Sequence, residues 1–421
     1  MKKNKEKNIV TRELKPDVET FAKIKVVGIG GSGGSAINRM IDRIRGVEFI
    51  AVNTDAQALN RSSADKRIQI GIDTTRGLGA GMDPEVGAKS AEENLEEIEK
   101  SLEGADMVFI TCGLGGGTGT GAAPIIADIA RRNNSLTVAV VTKPFTFEGS
   151  QRKMIAERGL NELENKVDTI ITIPNDRILN IIDRKTSVLD SFRIADEILH
   201  QGIQGISEII TIPGEVNVDF ADVKRIMSDA GSALMGIGRA TGEDRAKRAA
   251  KEAINSPLLD VSISGAKGIL FTITGGEDLT MYEINEIAEI ITSSADGGAN
   301  IIFGTVIDKT MNGEVKVMVV ATGFENFEIQ KKDIAKMTSN YRQNQYISRM
   351  NSNIKDSSEI IEDRDEIEFE DEKTLDLDKD NDIDNTDQFD DYGDIETTDS
   401  SEIIEQNSEY DIPAFLRKKI K

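Results

Sequence analysis

The chain has 421 residues and a formal net charge of −23, with 38% hydrophobic and 30% charged residues. That length suits two or three folded units, the charge opposes a reader of DNA or RNA phosphates, and the composition points to a polar segment beside the folded part. One cysteine, Cys112, and one histidine, His200, exclude a disulfide framework, a Cys/His metal site and double-histidine chemistry.

Residues 1–20 are polar, lack the apolar core of a secretory signal and read as a flexible N-terminal segment. No run approaches the ~18 apolar residues of a membrane span, so a cytoplasmic protein without direct membrane insertion is expected. Ile24–Ile29 reads as a strand leading through Gly30-Gly-Ser-Gly-Gly-Ser35 into a helix over Ala36–Arg43. Gly28, Gly30 and Gly33 fit the dinucleotide fingerprint G-x-G-x-x-G, with Asp55 beyond the strand Val47–Val52 as the ribose acid of a dehydrogenase. A second glycine stretch argues against that reading. Gly113–Gly121 follows the apolar run Asp106–Cys112 and precedes a helix over Ala122–Ala130. Glycines let a backbone approach an anion, the first turn of the helix offers free N–H groups, and Thr118 and Thr120 add hydroxyls. Two phosphate cradles suit a nucleoside triphosphate. The motif G-x-x-x-x-G-K-[ST] is absent, which excludes a P-loop NTPase.

Arg76–Glu85 reads as a flexible loop before a helix over Glu85–Leu102. Strands at Leu136–Thr142 and Val167–Ile173 flank the loop Lys143–Gly149 and a helix carrying Arg152. Strands alternating with helices give a mostly parallel sheet covered on both faces, with ligands at the carboxyl ends of the strands. A long helix runs from Ser187, with Asp190 as a partial capping box, to Ile210, and its wide apolar arc places it between two domains. Phe192 and Asp196 share one face of it, and an aromatic ring one turn from a carboxylate suits guanine; a core Phe with a solvated Asp fits the spacing as well. Asn217, Asp219 and Asp222 stand at the mouth of a helix, where they could position a water, hold Mg²⁺ or simply cap. Residues 231–325 form a second α/β unit, with strands at Lys267–Thr274, Asn300–Ile307 and Val315–Ala321 and helices at 242–255 and 280–295. Beyond it the chain turns acidic and aperiodic, which predicts disorder, and it ends in the apolar, basic segment Asp411–Lys421, which reads as a partner-docking motif.

Gly113–Gly121 resembles the signature loop of tubulin-like GTPases. Together with Gly28–Ser35, Asn53-Thr-Asp55, Pro144–Gly149, Asn217–Val223 and the tail Asp411–Arg417, it resembles the bacterial cell-division FtsZ family. The resemblance implies an α/β fold: a flexible segment (1–20), a Rossmann-like GTP-binding domain (21–186), a central helix (187–210), a smaller α/β domain (211–327), a disordered acidic linker (328–408) and a docking peptide (409–421). It implies a GTPase that polymerises head to tail into the protofilaments of the division ring beneath the mid-cell membrane. Gly30, Gly31, Ser32, Gly33, Gly34 and Ser35 with Gly117, Thr118, Gly119, Thr120 and Gly121 would hold the phosphates of GTP or GDP, with Mg²⁺. Glu148 and Arg152 would hold ribose and phosphate, Asp196 would read guanine and Phe192 would pack on it. Asn217, Asp219 and Asp222 would complete catalysis on the adjacent subunit. Membrane-tethering adaptors and division regulators would dock on Asp411–Lys419, and no nucleic acid is expected. The alternative is a GTP-binding filament scaffold with little turnover, for which Glu215 beside the catalytic loop would be the cause. Cys112 stands next to the phosphate loop, where a thiol reagent is expected to report on binding.

Overall fold

Twice in the first half of the chain a buried apolar strand leads through glycines into a helix. In the computed structural model these are β1 (Ile24–Ile29) with α1 (Gly30–Met40), and β4 (Met107–Gly113) with α6 (Thr118–Arg132). Residues 22–324 are described, except 184, 213–215, 217, 258, 260 and 261. The expected N-terminal segment, acidic linker and docking peptide lie outside them, as do Asn217 and Glu215.

Between the two glycine turns come β2 (Val47–Asn53), α2 (Ala56–Asn60), β3 (Lys66–Gln69), α3 (Ile72–Thr75), α4 (Pro84–Glu93) and α5 (Leu95–Leu102). The helix expected over Glu85–Leu102 is therefore two. Asn94 breaks it at φ −118, ψ 27 and its side chain accepts the Gly71 N–H at 3.0 Å. Then follow β5 (Leu136–Lys143), α7 (Ser150–Glu164), β6 (Thr169–Pro174), α8 (Asn175–Ile178) and α9 (Val188–Thr211). The second half comprises α10 (Phe220–Met227), β7 (Gly231–Thr241), α11 (Arg245–Ile254), β8 (Gly268–Gly275), α12 (Met281–Ser294), β9 (Asn300–Ile307) and β10 (Glu314–Thr322).

The ten strands of the described residues join one sheet in the order β3-β2-β1-β4-β5-β6-β7-β10-β8-β9. Pairing is parallel from β3 to β7, and β10 runs antiparallel to both β7 and β8. The two halves thus meet through the short β6–β7 pairing of Thr169–Ile171 with Gly231–Ala233. On one face, α1, α9 and α10 share a core that runs from Met107 and Phe109 to Leu270 and Met318. This explains the wide apolar arc of α9: Ile203 and Ile206 are fully buried, each contributing roughly 1.5–3 kcal/mol. On the other face, α5, α6 and α7 cover the first half, and α11 and α12 cover the second.

Candidate nucleotide site

The first glycine stretch, Gly30–Ser35, is the opening of α1, and the second runs from the end of β4 at Gly113 through a turn at 114–117 into the first residues of α6. The first turn of any helix carries four N–H groups without intrahelical partners. Neither helix has a capping side chain or an acidic residue in that turn. By contrast Asp83 caps α4 and Ser187 caps α9. The uncapped ends abut: a Cβ on Gly30 would stand 3.0 Å from the Gly119 nitrogen. Ser32 Oγ accepts the Gly113 N–H at 2.8 Å and ties the start of α1 to the end of β4. Two positive helix ends converge at the carboxyl edge of a parallel sheet, an arrangement that attracts phosphate.

The glycines divide into two kinds. Gly31, Gly34 and Gly116 have nothing within 4 Å of an added Cβ, so their backbones are bare. Gly28, Gly33, Gly117 and Gly121 are demanded by packing: a Cβ on Gly33 would lie 2.5 Å from the Thr111 carbonyl oxygen, and one on Gly121 1.9 Å from that of Pro84. A cleft of about 240 Å³ opens over α1, lined by Gly31, Gly34, Ser35, Asn38, Asn53 and Arg61. The two threonines are engaged within the protein. Thr118 Oγ1 lies 2.7 Å from that of Thr54, and Thr120 Oγ1 accepts the Gly115 N–H at 2.9 Å. Asp55 caps α2 by accepting the Gln57 and Ala58 N–H groups, which accounts for it without a ribose.

Glu148 accepts the Phe145 N–H at 2.9 Å and pairs with Arg152 Nη1 at 3.0 Å. The stem of Arg152 runs against Gly115, and its Nε is buried with no hydrogen-bond partner. Asn175 Oδ1, at the end of β6, is buried and unpaired too. An unpaired buried donor and acceptor at one sheet edge are groups that await a polar ligand. The sequence reading missed Asn175, whose only signal was its place directly after a strand.

Phe192 meets Phe145 edge-on, with ring centroids 5.4 Å apart, on the wall of an apolar cavity of about 310 Å³ shared with Phe147, Leu179, Ile182 and Val188. Asp196 is neither solvated nor free. It pairs with Arg39 of α1, and burial pushes its carboxyl up to about 6 against the attraction of that guanidinium. One residue on, the nearby His200 ring, with Gln201 and Arg43, draws the Glu197 carboxyl down to about 2.

Asp219 and Asp222 are placed elsewhere. Asp219 is the N-cap residue of α10, yet its side chain makes no capping bond, and Asp222 lies in the first turn; both are exposed. The segment that carries them is anchored at both ends. Thr211 packs against Gly46, just before β2 begins, and the Met227 carbonyl accepts the hydroxyl of Thr169, the first residue of β6. Both anchors lie at the amino ends of the parallel strands, the edge opposite the glycine turns.

Residues 23–183 match the Tubulin/FtsZ family, GTPase domain, and residues 231–325 match the FtsZ family, C-terminal domain. A solved FtsZ from M. jannaschii, described as an empty dimer, is 48% identical over 73% of this chain and 89% of its own, with a TM-score of 0.71. The chain belongs to the FtsZ family. It is a tubulin-like GTPase, and the paired glycine helix ends are the part of the fold suited to the phosphates of GTP. Two Haloferax volcanii structures share the fold at lower identity. CetZ1, a GDP-bound monomer, is 22% identical over 76% of this chain and 99% of its own, with a TM-score of 0.64. CetZ2, a GTPgS-bound protofilament, is 21% identical over the same shares, with a TM-score of 0.62.

Proposed function

We propose that the chain polymerises head to tail into protofilaments that form the division ring, each subunit supplying Asn217, Asp219 and Asp222 to the nucleotide of its neighbour. The observation that carries this reading is the placement of Asp219 and Asp222 at the sheet edge opposite the glycine turns. One subunit does not join the two; a second copy stacked end to end does. The 48% identical FtsZ described as a dimer supports self-association. A heterologous contact that does not close produces an open filament.

Gly30–Ser35 and Gly117–Gly121 hold the phosphates of GTP or GDP, Glu148 and Arg152 hold ribose and phosphate, and Phe192 and Asp196 take the base. Bound Mg²⁺ would offset the charge of the phosphates. A carboxylate pair beside a triphosphate repels it, so supplying the pair from a neighbour lets nucleotide bind first. The aspartates then orient a water for in-line attack on the γ-phosphate. Adaptors and division regulators dock on Asp411–Lys419 and carry the cytoplasmic filament to the mid-cell membrane.

Phosphate release measured against protein concentration, with light scattering alongside, tests this reading. The rate should stay near zero below a critical concentration and then climb with scattering. Asp222→Ala should still bind GTP and scatter light, with release lowered at least ~10-fold. A rate linear from the lowest concentration would mean that each subunit holds a whole active site. Scattering without release in the parent chain would instead favour the scaffold with little turnover.

A further inference from the structure

The cation that meets Asp196 is Arg39. It lies on α1 four residues beyond Ser35, one turn from the phosphate cradle, and it binds Asp196 through Oδ2. Arg43, three residues past the end of α1, pairs with Glu197 at 2.7 Å, so two ion pairs tie α1 and the turn after it to α9. The Arg39 side chain is 40% exposed and that of Asp196 only 14%. The arginine therefore reaches inward from the surface to a carboxylate that the fold has buried.

The role proposed above for Asp196 fixes what its carboxyl must present. An ionised carboxylate offers two acceptors and complements the N1–H and exocyclic amine of guanine, both donors. A neutral carboxyl offers one donor and one acceptor, the complement of the N1 and N6 amine of adenine. A single proton thus decides which purine fits, and burial favours the neutral form. A guanidinium stays charged at any pH the fold survives and opposes that protonation.

We propose that Arg39 is a specificity-determining residue of the nucleotide site, holding the buried Asp196 carboxylate in its acceptor-only form so that guanine is taken and adenine refused. The inference rests on Asp196 reading the base. Other charged groups on the elements packed around this part of α9 have roles of their own. Just past α1, Arg43 takes Glu197. At the end of β5, Lys143 pairs with Glu157 of α7. On α8, Asp176 accepts the N–H and hydroxyl of Thr146, and Arg177 beside it is also engaged. On α9 itself Asp190 pairs with Arg193, and Glu197 stands 3.6 Å from His200 Nδ1. β8 and β9, which also pack on α9, carry no charged residue.

The test measures GTP and ATP affinities of the full chain by competition against a fluorescent GTP analogue from pH 5.5 to 8.5. The ratio of the two affinities cancels any loss of folded protein. The parent and Arg39→Lys should keep their preference for GTP down to about pH 6, the value set by the buried Asp196 carboxyl. In Arg39→Gln the decline should begin at higher pH and run at about tenfold per pH unit, the slope of one linked proton. Asp196→Asn should show a small preference that is flat with pH. If Asp196→Asn loses the preference while Arg39→Gln matches the parent at every pH, Arg39 has no such role and Asp196 still reads the base. An Arg39→Gln chain that weakens for both nucleotides at an unchanged ratio also overturns the proposal, leaving Arg39 as a structural tie. A parental preference in Asp196→Asn overturns the base reading, and this inference with it.

Discussion

Asp196 and Glu197 are neighbours on α9 whose carboxyls are driven in opposite directions. Burial pushes Asp196 up to about 6, whereas the His200 ring, Gln201 and Arg43 pull Glu197 down to about 2. In the unfolded chain Asp196 ionises near ~3.9. Between that value and 6 the folded state holds the extra proton, so this residue's contribution to stability falls as pH rises through that window and stays lost above it. Glu197 has the opposite sign: its contribution is present above its ordinary range and is lost as pH falls toward 2. Asp196→Asn should therefore gain stability relative to the parent between about pH 4 and 6 and keep the gain at pH 8. Thermal unfolding at several pH values reads this directly, and a difference that shrinks with rising pH contradicts it. Cys112 corrects an expectation at the same scale. It does lie beside the phosphate turn, its Cβ 3.3 Å from a Cβ placed on Gly119, but it is fully buried and its thiol is pushed up to about 12. A thiol that is neither exposed nor ionised does not react in the folded protein, so labelling cannot report on binding.

At the scale of elements, adjacent glycines of α1 separate packing from binding. Gly33→Ala would drive a methyl into the Thr111 carbonyl and should cost roughly 1–3 kcal/mol. Gly34→Ala meets nothing within 4 Å and gains helix propensity, so it should be neutral or stabilising by up to ~1 kcal/mol. The same methyl would stand on the bare backbone of the cleft and should weaken GTP binding. Denaturant unfolding and nucleotide titration of the two variants check this; unchanged GTP affinity in Gly34→Ala would show that the open face is not the ligand's. Much of this was legible from pattern alone. Ile24–Ile29 and Asn300–Ile307 form strands with the bounds read from their apolar runs, and Ser187 opens the long helix as a cap. Where the reading failed, the local signal was weak or misleading. β3 carries Lys66 and Arg67 and buries only Ile68, so it shows no alternation. β7 looks like a loop because it is rich in glycine, yet Gly236 and Gly238 are there because α11 presses on it: added Cβ atoms would lie 2.0 and 2.1 Å from the Ala253 and Ala249 carbonyl oxygens. Arg39 could not be read at all, since its partner lies 157 residues away.

Across the whole molecule, the residues assigned to the nucleotide and to catalysis fall between Gly30 and Asp222, and the last described strand ends at Thr322. The docking role proposed for Asp411–Lys419 is thus separable in sequence from the GTPase. Deleting residues 411–421 should abolish co-sedimentation of filaments with a membrane adaptor and leave GTP hydrolysis at the parental rate. Loss of hydrolysis would contradict that separation. The position of β10 also governs when the protein can be finished. This strand, made last, lies between β7 and β8 and hydrogen-bonds to both. Until it emerges from the ribosome, each of those strands keeps a bare edge that can pair with another nascent chain. Closure of the sheet therefore waits on the strand made last of those described, however early the others are complete.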